Sequence, residues 1–206
     1  EGLKAQSFDY LYDKEESFEK VYEGILYSLA NKLEECQEVV YAVPGHPTVA
    51  ERSVQLLVDK LSGDVEVKVY SSVSFLDPLF AAIPFDPGDG FLLLNYDQLK
   101  EREITGKEWL VIPQVYDSFI ASDVKLDLME VYPDETKVLL VKAAGNQNQE
   151  IKRVRLYELD HLEFDHLSTV VVPPSPQAIS TTRLLEVMKM LRGPEGCPWD
   201  REQDHD

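Results

Sequence analysis

Two corners of the sequence carry residue types suited to holding a small ligand. In the first, VVYAVPGHPTVAE (39–51), an apolar run ends in Pro44-Gly45-His46-Pro47 before a predicted helix. The N–H groups of a helix start favour a carboxylate or phosphate, glycine permits close approach to the backbone, and prolines keep the loop rigid. The second, SSVSFLD (71–77), is rich in hydroxyls and also joins a predicted strand to a helix. One such corner is most simply a rigid connection, but two neighbouring corners predict a ligand-binding cleft.

The histidines and cysteines indicate no metal site. His46 either bonds a ligand carboxylate or fixes its loop by bonding a backbone carbonyl. His161 and His166 lie five residues apart with acids between them, a spacing that favours an exposed turn over metal binding. Cys36 and Cys197 lack the spacing of a thiolate site or a disulfide framework. No Ser-His-Asp or paired-carboxylate arrangement is recognisable, so no catalytic residue is assigned.

The composition narrows the class of protein. The chain has 206 residues and a net charge of −18, which argues against nucleic acid or an anionic membrane as partner. Neither a membrane span nor a signal peptide is recognisable, which predicts a cytoplasmic protein. The sequence begins at Glu1 rather than methionine and ends on the charged run DREQDHD. We therefore expect a piece of a longer polypeptide.

The residues around the two corners predict an α/β domain over residues 1–84. An apolar spacing of three and four over 15–34 predicts an amphipathic helix. EVVYAV and VEVKVY (65–70) are typical of strands, the former of a buried parallel one. Thr48 and Glu51 have the spacing of a capping box that opens the next helix. This alternation of helices and strands predicts a parallel sheet.

A second domain, of α+β type, is predicted over residues 85–172. It follows IPFDPGDG (83–90) and has one helix, about Asp117 to Val131, with Asp117 as its N-cap. Its predicted strands are FLLLN, EWLVIPQV, KVLLVKA, IKRVRLYEL and STVVVPP, in a largely antiparallel or mixed sheet. Residues 173–206 begin with a proline-rich linker, followed by a helix that stops at Gly193. We expect a separate sheet in each domain, and residues 173–206 to pack on neither core.

The motifs in this order resemble the tetrapyrrole (corrin/porphyrin) methylases. The resemblance rests on YAVPGHPTVAE, VEVKVYSSVSFLD, VYDSFIASDVKLDLMEVYPDE and VKAAG, and covers about residues 1–172. The closing LLEVMKMLRGPEGCPWDREQDHD is similar to the opening of a MazG-type nucleoside triphosphate pyrophosphohydrolase domain. Trp199 in that segment either stacks on a nucleotide or anchors the domain. The resemblance implies a homodimeric two-domain α/β methyltransferase that binds S-adenosylmethionine between its domains, followed by the truncated start of a MazG domain.

The resemblance also implies which residues contact the cofactor. The first corner would lie beside its methionine part, the second would line the same pocket, and residues of the second domain would approach the adenosine. These residues are, in turn, Val43, Pro44, Gly45, His46 and Pro47; Ser72, Val73 and Ser74; and Tyr116, Ala143, Ala144 and Gly145.

The sequence departs from the family in four places. The family's first strand and glycine-rich loop are missing, so the first domain is incomplete. His46 stands where methylases of corrinoid precursors more often carry aspartate, and Ser71-Ser72 stand where the family has Pro-Gly. The sequence also ends before the acidic residues with which a MazG domain holds Mg²⁺, so Mg²⁺ is expected only for the missing part.

Two functional hypotheses remain open. The first is a methyltransferase module that acts on a small-molecule acceptor within a protein that also hydrolyses nucleoside triphosphates. Methyl transfer from a sulfonium needs little acid–base help because the cofactor carries its own leaving group. The alternative is a non-catalytic ligand-binding or dimerisation module that regulates the fused hydrolase.

Overall fold

The chain divides into two compact units, Glu1–Phe75 and Leu76–Asp206. The computed structural model describes residues 5–15, 17–61, 63, 65–83 and 85–202. Within those residues, none of the helices combines the length and the apolar character that a membrane crossing requires. The domain boundaries proposed from the sequence, after residues 84 and 172, stay a prediction.

The first unit is built around helix α2. Helix α1 spans Asp9–Lys14, α2 spans Phe18–Glu35 and α3 spans Arg52–Leu61. The predicted amphipathic helix is thus confirmed as α2, whose N-cap residue Ser17 accepts a hydrogen bond from the Lys20 N–H (3.4 Å). The apolar face of α2 is buried together with a leucine of α1, in a cluster formed by Leu11, Val21, Ile25 and Leu29.

The two strands predicted for this unit are not formed. Residues 38–43 and 65–70 have no regular secondary structure, and the strands of the described residues all lie in the second unit. Val40 is 84% exposed, although the apolar run EVVYAV predicts a buried strand. Alternating or continuous apolar residues indicate which side chains favour burial. A strand also needs a neighbouring strand with which its backbone N–H and C=O groups can pair. The predicted parallel sheet of the first unit is therefore wrong for the described residues.

The predicted capping box at Thr48 and Glu51 is also wrong. Helix α3 begins at Arg52, and the Thr48 hydroxyl bonds the ring of His46 (3.1 Å) instead of capping the helix. The carboxylate of Glu51 accepts a hydrogen bond from the Ser53 N–H (3.3 Å), so an acid next to the helix bonds an N–H group of its first turn. His46 bonds the Thr48 hydroxyl that was expected to cap the helix, and the helix begins at Arg52, about one turn later than predicted.

The second unit holds a mixed five-stranded sheet in the order β1-β2-β5-β3-β4, which confirms the predicted strands. β1 runs parallel to β2, and the other neighbouring pairs are antiparallel. As a result β1, β2 and β3 finish at the same end of the sheet, where β4 and β5 begin; we call this the carboxyl end. The strands are β1 Phe91–Leu93, β2 Trp109–Ile112, β3 Lys137–Lys142, β4 Glu150–Arg155 and β5 Ser168–Val172.

One helix covers the core of this sheet. α5 spans Ser118–Met129, and its N-cap residue Asp117 accepts a hydrogen bond from the Ile120 N–H (2.8 Å), as predicted. α5 buries Val124 and Leu128 in the same cluster as β2, β3 and β5. The other α-helices of the unit are α4 Leu76–Ala82, α6 Thr181–Arg192 and α7 Pro198–Arg201, and 3-10 helices span Pro87–Asp89, Tyr96–Glu101 and Leu156–His161.

Backbone hydrogen bonds hold the proline-rich segment after β5 against the rest of the second unit. The Ser175 N–H donates to the Gly106 carbonyl (2.8 Å), and the Ile179 N–H donates to the Val131 carbonyl (2.7 Å). Between them, Ala178 is buried in the core cluster. The prediction that residues 173–206 pack on neither core is therefore wrong for this segment, because small side chains let it lie close to the core. Helix α6 follows as predicted and is largely exposed.

Candidate functional site

The two corners of the first unit lie next to each other, as the sequence predicts. Gly45 has a φ of +74°, a conformation that side chains disfavour. Apart from its chain neighbours, the described residues place only the Val73 carbonyl oxygen within 4 Å of a Cβ atom added to Gly45, at 3.7 Å. The second corner is open to solvent, with Val73 68% exposed. These corners therefore form a backbone surface with room beside the glycine.

His46 fixes the first corner from within. Its Nδ1 accepts a hydrogen bond from the Thr48 N–H (3.2 Å) and lies 3.1 Å from the Thr48 hydroxyl. A backbone N–H can only donate, so Nδ1 is the acceptor of this hydrogen bond. This contact fixes the loop, although its partner is an N–H group and not the carbonyl expected, and a contact of His46 with a ligand stays a prediction.

This contact predicts that asparagine can replace His46 and that alanine cannot. An asparagine Oδ1 accepts from the N–H two residues on, as in an Asx turn, whereas alanine leaves that donor unpaired. Because one net hydrogen bond contributes about 1 kcal/mol, we expect the Thr48 amide to exchange with solvent about fivefold faster in His46→Ala. Hydrogen exchange of His46→Asn should match the parent protein. Equal exchange in all three proteins would contradict the contact.

The second unit brings Tyr116 and the loop Ala143–Gly145 to the carboxyl end of its sheet. Both follow strands that finish there, β2 and β3, which are separated by β5. At about 4.8 Å per strand, the ends of β2 and β3 lie about 10 Å apart. The beginning of β5 anchors both, because the Val115 N–H donates to the Ser168 carbonyl and the Ala143 N–H to the Leu167 carbonyl (3.2 Å each).

The backbone at this end of the sheet adopts unusual conformations. Gln114 and Ala143 have φ values of +57° and +50°, in the left-handed region that costs a residue with a side chain about 1–2 kcal/mol. Such strain persists where the surrounding structure enforces it, and it is concentrated at functional sites. Gly145 has a packing explanation, since a Cβ there would lie 2.6 Å from the Pro78 Cβ of α4. Gln114 is a residue that the sequence did not single out.

One backbone N–H group of the loop after β3 already donates a hydrogen bond to a side chain. The Gly145 N–H donates to the amide oxygen of Gln149 (2.8 Å), and the Asn146 N–H donates to the Ala143 carbonyl (3.0 Å). These contacts make residues 143–149 a tight turn between β3 and β4. A ligand that used the Gly145 N–H would have to displace Gln149.

Tyr96 joins this end of the sheet and was missed by the sequence analysis. It begins the 3-10 helix after β1, and it shares a hydrogen bond with Tyr116, which follows the neighbouring strand β2. Burial, followed by the charge and hydrogen bond of Tyr116, raises the pKa of Tyr96 above its ordinary value. Both phenols are half-buried. Tyr96 follows β1, which runs parallel to β2, so the sequence pattern could have placed it at the same end of the sheet as Tyr116.

An aspartate stabilises the beginning of β5. Asp165 accepts hydrogen bonds from the Leu167 N–H (2.9 Å) and the Ser168 hydroxyl (3.2 Å), and it pairs with Lys142 (3.1 Å). Burial works against the charge, but these donors outweigh it and hold the pKa of Asp165 below its ordinary 3.8. The stability that this carboxylate contributes is therefore fully present above pH 3.8 and is lost as the pH falls through its lowered pKa.

We therefore expect Asp165→Asn to make unfolding less sensitive to acid. The free energy of unfolding, measured by urea denaturation, should be lower in the variant at pH 6 by less than about 1 kcal/mol, because the carboxylate is partly exposed to solvent. The difference from the parent should vanish towards pH 2. Asp89→Asn, at an exposed aspartate of the same unit, is the control. A difference that persists at low pH would show that the charge is not the cause.

The described residues form no group of three or more histidine, cysteine or acidic side chains that could hold a metal ion. His161 and His166 are exposed, as their spacing indicated. Cys36 and Cys197 are free thiols. His205 lies outside the described residues.

The family follows from comparison with known proteins. Residues 2–160 match the tetrapyrrole (corrin/porphyrin) methylases, so the chain belongs to the tetrapyrrole methylase family. The chain is also 43% identical over 209 residues to the uncharacterized protein YabN of Bacillus subtilis (strain 168), an alignment that covers 96% of this chain. It spans only 42% of the length of that relative.

Solved structures support the fold alone. Uroporphyrin-III C-methyltransferase from Thermus thermophilus, complexed with S-adenosylhomocysteine, superposes with a TM-score of 0.54 at 18% identity, over 73% of this chain and 69% of that one. The native form of the same enzyme gives a TM-score of 0.52 at 20% identity, over 73% and 70% of the two chains. The α/β fold with a mixed sheet is thus that of tetrapyrrole methylases, as the sequence predicted.

Proposed function

We propose that this chain is the methyltransferase module of a larger protein and that it binds S-adenosylmethionine. The observation that carries the proposal is the pair of corners in the first unit, where Gly45 lies against the Val73 carbonyl and leaves open space beside the backbone. Family membership supports the same function. The methyl acceptor is a small molecule whose identity no residue described above selects.

The residues suit this cofactor by their chemistry. The backbone of residues 43–47 and the hydroxyls of Ser72 and Ser74 would bind its polar methionine part, and Tyr116 with Ala143, Ala144 and Gly145 would contact the adenosine. S-adenosylmethionine itself supplies the methyl group and the leaving group. The task left to the chain is to orient the two reactants, and correct positioning can contribute about 7–11 kcal/mol to lowering a barrier.

The larger protein, in this proposal, also carries a MazG-type nucleoside triphosphate pyrophosphohydrolase and forms a cytoplasmic homodimer. The closing segment LLEVMKMLRGPEGCPWDREQDHD, which is similar to the opening of a MazG domain, supports the hydrolase part of this proposal. Mg²⁺ would serve that hydrolase and not the methylase module.

One observation favours a second candidate, a ligand-binding or dimerisation module without catalysis that regulates the hydrolase. The Gly145 N–H is already bonded to Gln149, and the Nδ1 of His46 is bonded to Thr48. Polar groups of the proposed site that are satisfied internally would leave fewer donors and acceptors for a cofactor.

Calorimetry and a transfer assay on the full-length protein separate the two. We expect S-adenosylmethionine and S-adenosylhomocysteine to bind in the micromolar range, and a labelled methyl group to appear on a small molecule of a cell extract. Binding without transfer would favour the regulatory module. No binding of either compound at millimolar concentration would exclude the methyltransferase.

A further inference from the structure

Three side chains close the base of the loop that bears Gly45 and His46. The Tyr41 hydroxyl, just before the loop, lies 2.9 Å from the Ser53 hydroxyl in the first turn of α3. Ser53 in turn lies 2.6 Å from Glu51 Oε1. The contacts join the two ends of the first corner through side chains, twelve residues apart in the chain.

The hydrogen bonds of this chain run in one direction. A carboxylate only accepts, so Ser53 donates its single hydroxyl proton to Glu51. Tyr41 must then donate to the Ser53 oxygen. Burial raises the pKa of Tyr41, so its phenol keeps the proton that it donates. Because Ser53 is only 4% exposed, losing either partner would leave a buried hydroxyl poorly satisfied.

The loop between these residues holds strained backbone. Ala50, directly before Glu51, has a φ of +54°, which strains a residue with a side chain. An alanine in this region persists only where its surroundings hold it there. The ring of Tyr41 provides a fixed point, since it packs edge-on against Phe8, with the ring centroids 6.0 Å apart, at the margin of the buried cluster around α2.

We infer that Tyr41, Ser53 and Glu51 are positioning residues for the first corner, which they hold in the conformation that binds the cofactor. The inference rests on the proposed function of that corner. None of the three side chains needs to touch the ligand. Without them the corner would populate its binding conformation for only a fraction of the time, and the apparent affinity would fall by that fraction.

The test compares Tyr41→Phe, Ser53→Ala and the double variant in the full-length protein. Each removes a hydroxyl and keeps the surrounding bulk, and Tyr27→Phe on the exposed face of α2 is the matched control. We expect each single variant to bind S-adenosylhomocysteine about three- to tenfold more weakly in calorimetry. The double variant should be no weaker than the worse single one, because both break the same chain. Tyr27→Phe should bind as the parent does.

Hydrogen exchange on the free protein reports on the loop without any ligand. We expect the amides of residues 45–50 to exchange faster in Tyr41→Phe and those of α2 to be unchanged. Parent-like affinity in both single variants, with the parent itself binding, would overturn the inference and leave the proposed function intact. A parent that does not bind would overturn the proposed function and this inference together. Additive losses of affinity, or unchanged exchange, would show that the three residues do not act as one unit on the corner.

Discussion

Replacing Gly45 by asparagine is expected to weaken the binding of S-adenosylmethionine about a hundredfold and to leave the melting temperature within a few degrees of the parent. The fold has room for a side chain here, because the Val73 carbonyl oxygen, the one atom of the described residues beyond the chain neighbours within 4 Å of an added Cβ, is 3.7 Å away. Asparagine also tolerates the φ of +74° better than other residues with a side chain. The loss would therefore come from a side chain in the space that the cofactor occupies. Calorimetry and thermal unfolding on the same samples measure both quantities.

The comparison with Gly45→Val makes this result specific. Valine adds a branched side chain in a conformation that it strongly disfavours, so it should weaken both binding and stability. An asparagine variant that binds as well as the parent, beside a valine variant that does not, would show that Gly45 serves only the turn. The corner would then be a rigid connector, as one such loop taken alone suggests.

Gly106→Ala is expected to destabilise the second unit by about 3 kcal/mol. Gly106 is buried at a φ of +73°, and an added Cβ would lie 2.1 Å from the Cβ of Ala178. Overpacking costs about 1–3 kcal/mol and the left-handed conformation about 1–2 kcal/mol. In a chain of this length each kcal/mol lowers the melting temperature by about 2–4 °C. Thermal unfolding of the variant should therefore begin about 6–12 °C below that of the parent.

Two further variants separate packing from strain. Gly90 has a φ of +93° and a ψ of +139°, and no atom of the described residues beyond its chain neighbours lies within 4 Å of an added Cβ, so Gly90→Ala should lose only the strain of that conformation, about 1–3 kcal/mol. Adding Ala178→Gly to Gly106→Ala removes the opposing methyl group and should restore part of the stability. A double variant that is no more stable than Gly106→Ala would contradict the packing of the segment after β5 against Gly106.

The features that the sequence predicted well depend on neighbouring residues. Asp117 caps α5 because an aspartate before an apolar helical pattern bonds the free N–H groups of the first turn. The strands of the second unit are predicted by short apolar runs, and turns such as residues 143–149 join them. The segments 38–43 and 65–70 show the same kind of pattern, but a strand depends on a distant partner that a local pattern does not specify.

The sequence predicted that the loops bearing Gly45 and Val73 lie together, whereas the part that each residue plays in a cofactor site stays a prediction. Gly45 does lie next to Val73, although the two strands on which that expectation rests are not formed. The left-handed conformations of Ala50 and Gln114 have no sequence signal, because alanine and glutamine adopt them only where tertiary contacts enforce them. The hydrogen bond of His46 to Thr48 is local, but histidine offers two nitrogens and several partners, so the sequence left its role open.

The hydrogen bonds that hold residues 175–179 against the second unit determine where this protein can be divided into fragments. Its prolines and small polar residues mark the segment as the natural place to cut, immediately after Val172. A fragment ending there would lose the methyl group of Ala178 that packs against Gly106. The Val131 carbonyl would also lose the hydrogen bond that the Ile179 N–H donates to it. It would expose part of the hydrophobic core and be prone to aggregate during expression. The shortest second unit that keeps its interior closed therefore extends through Ile179.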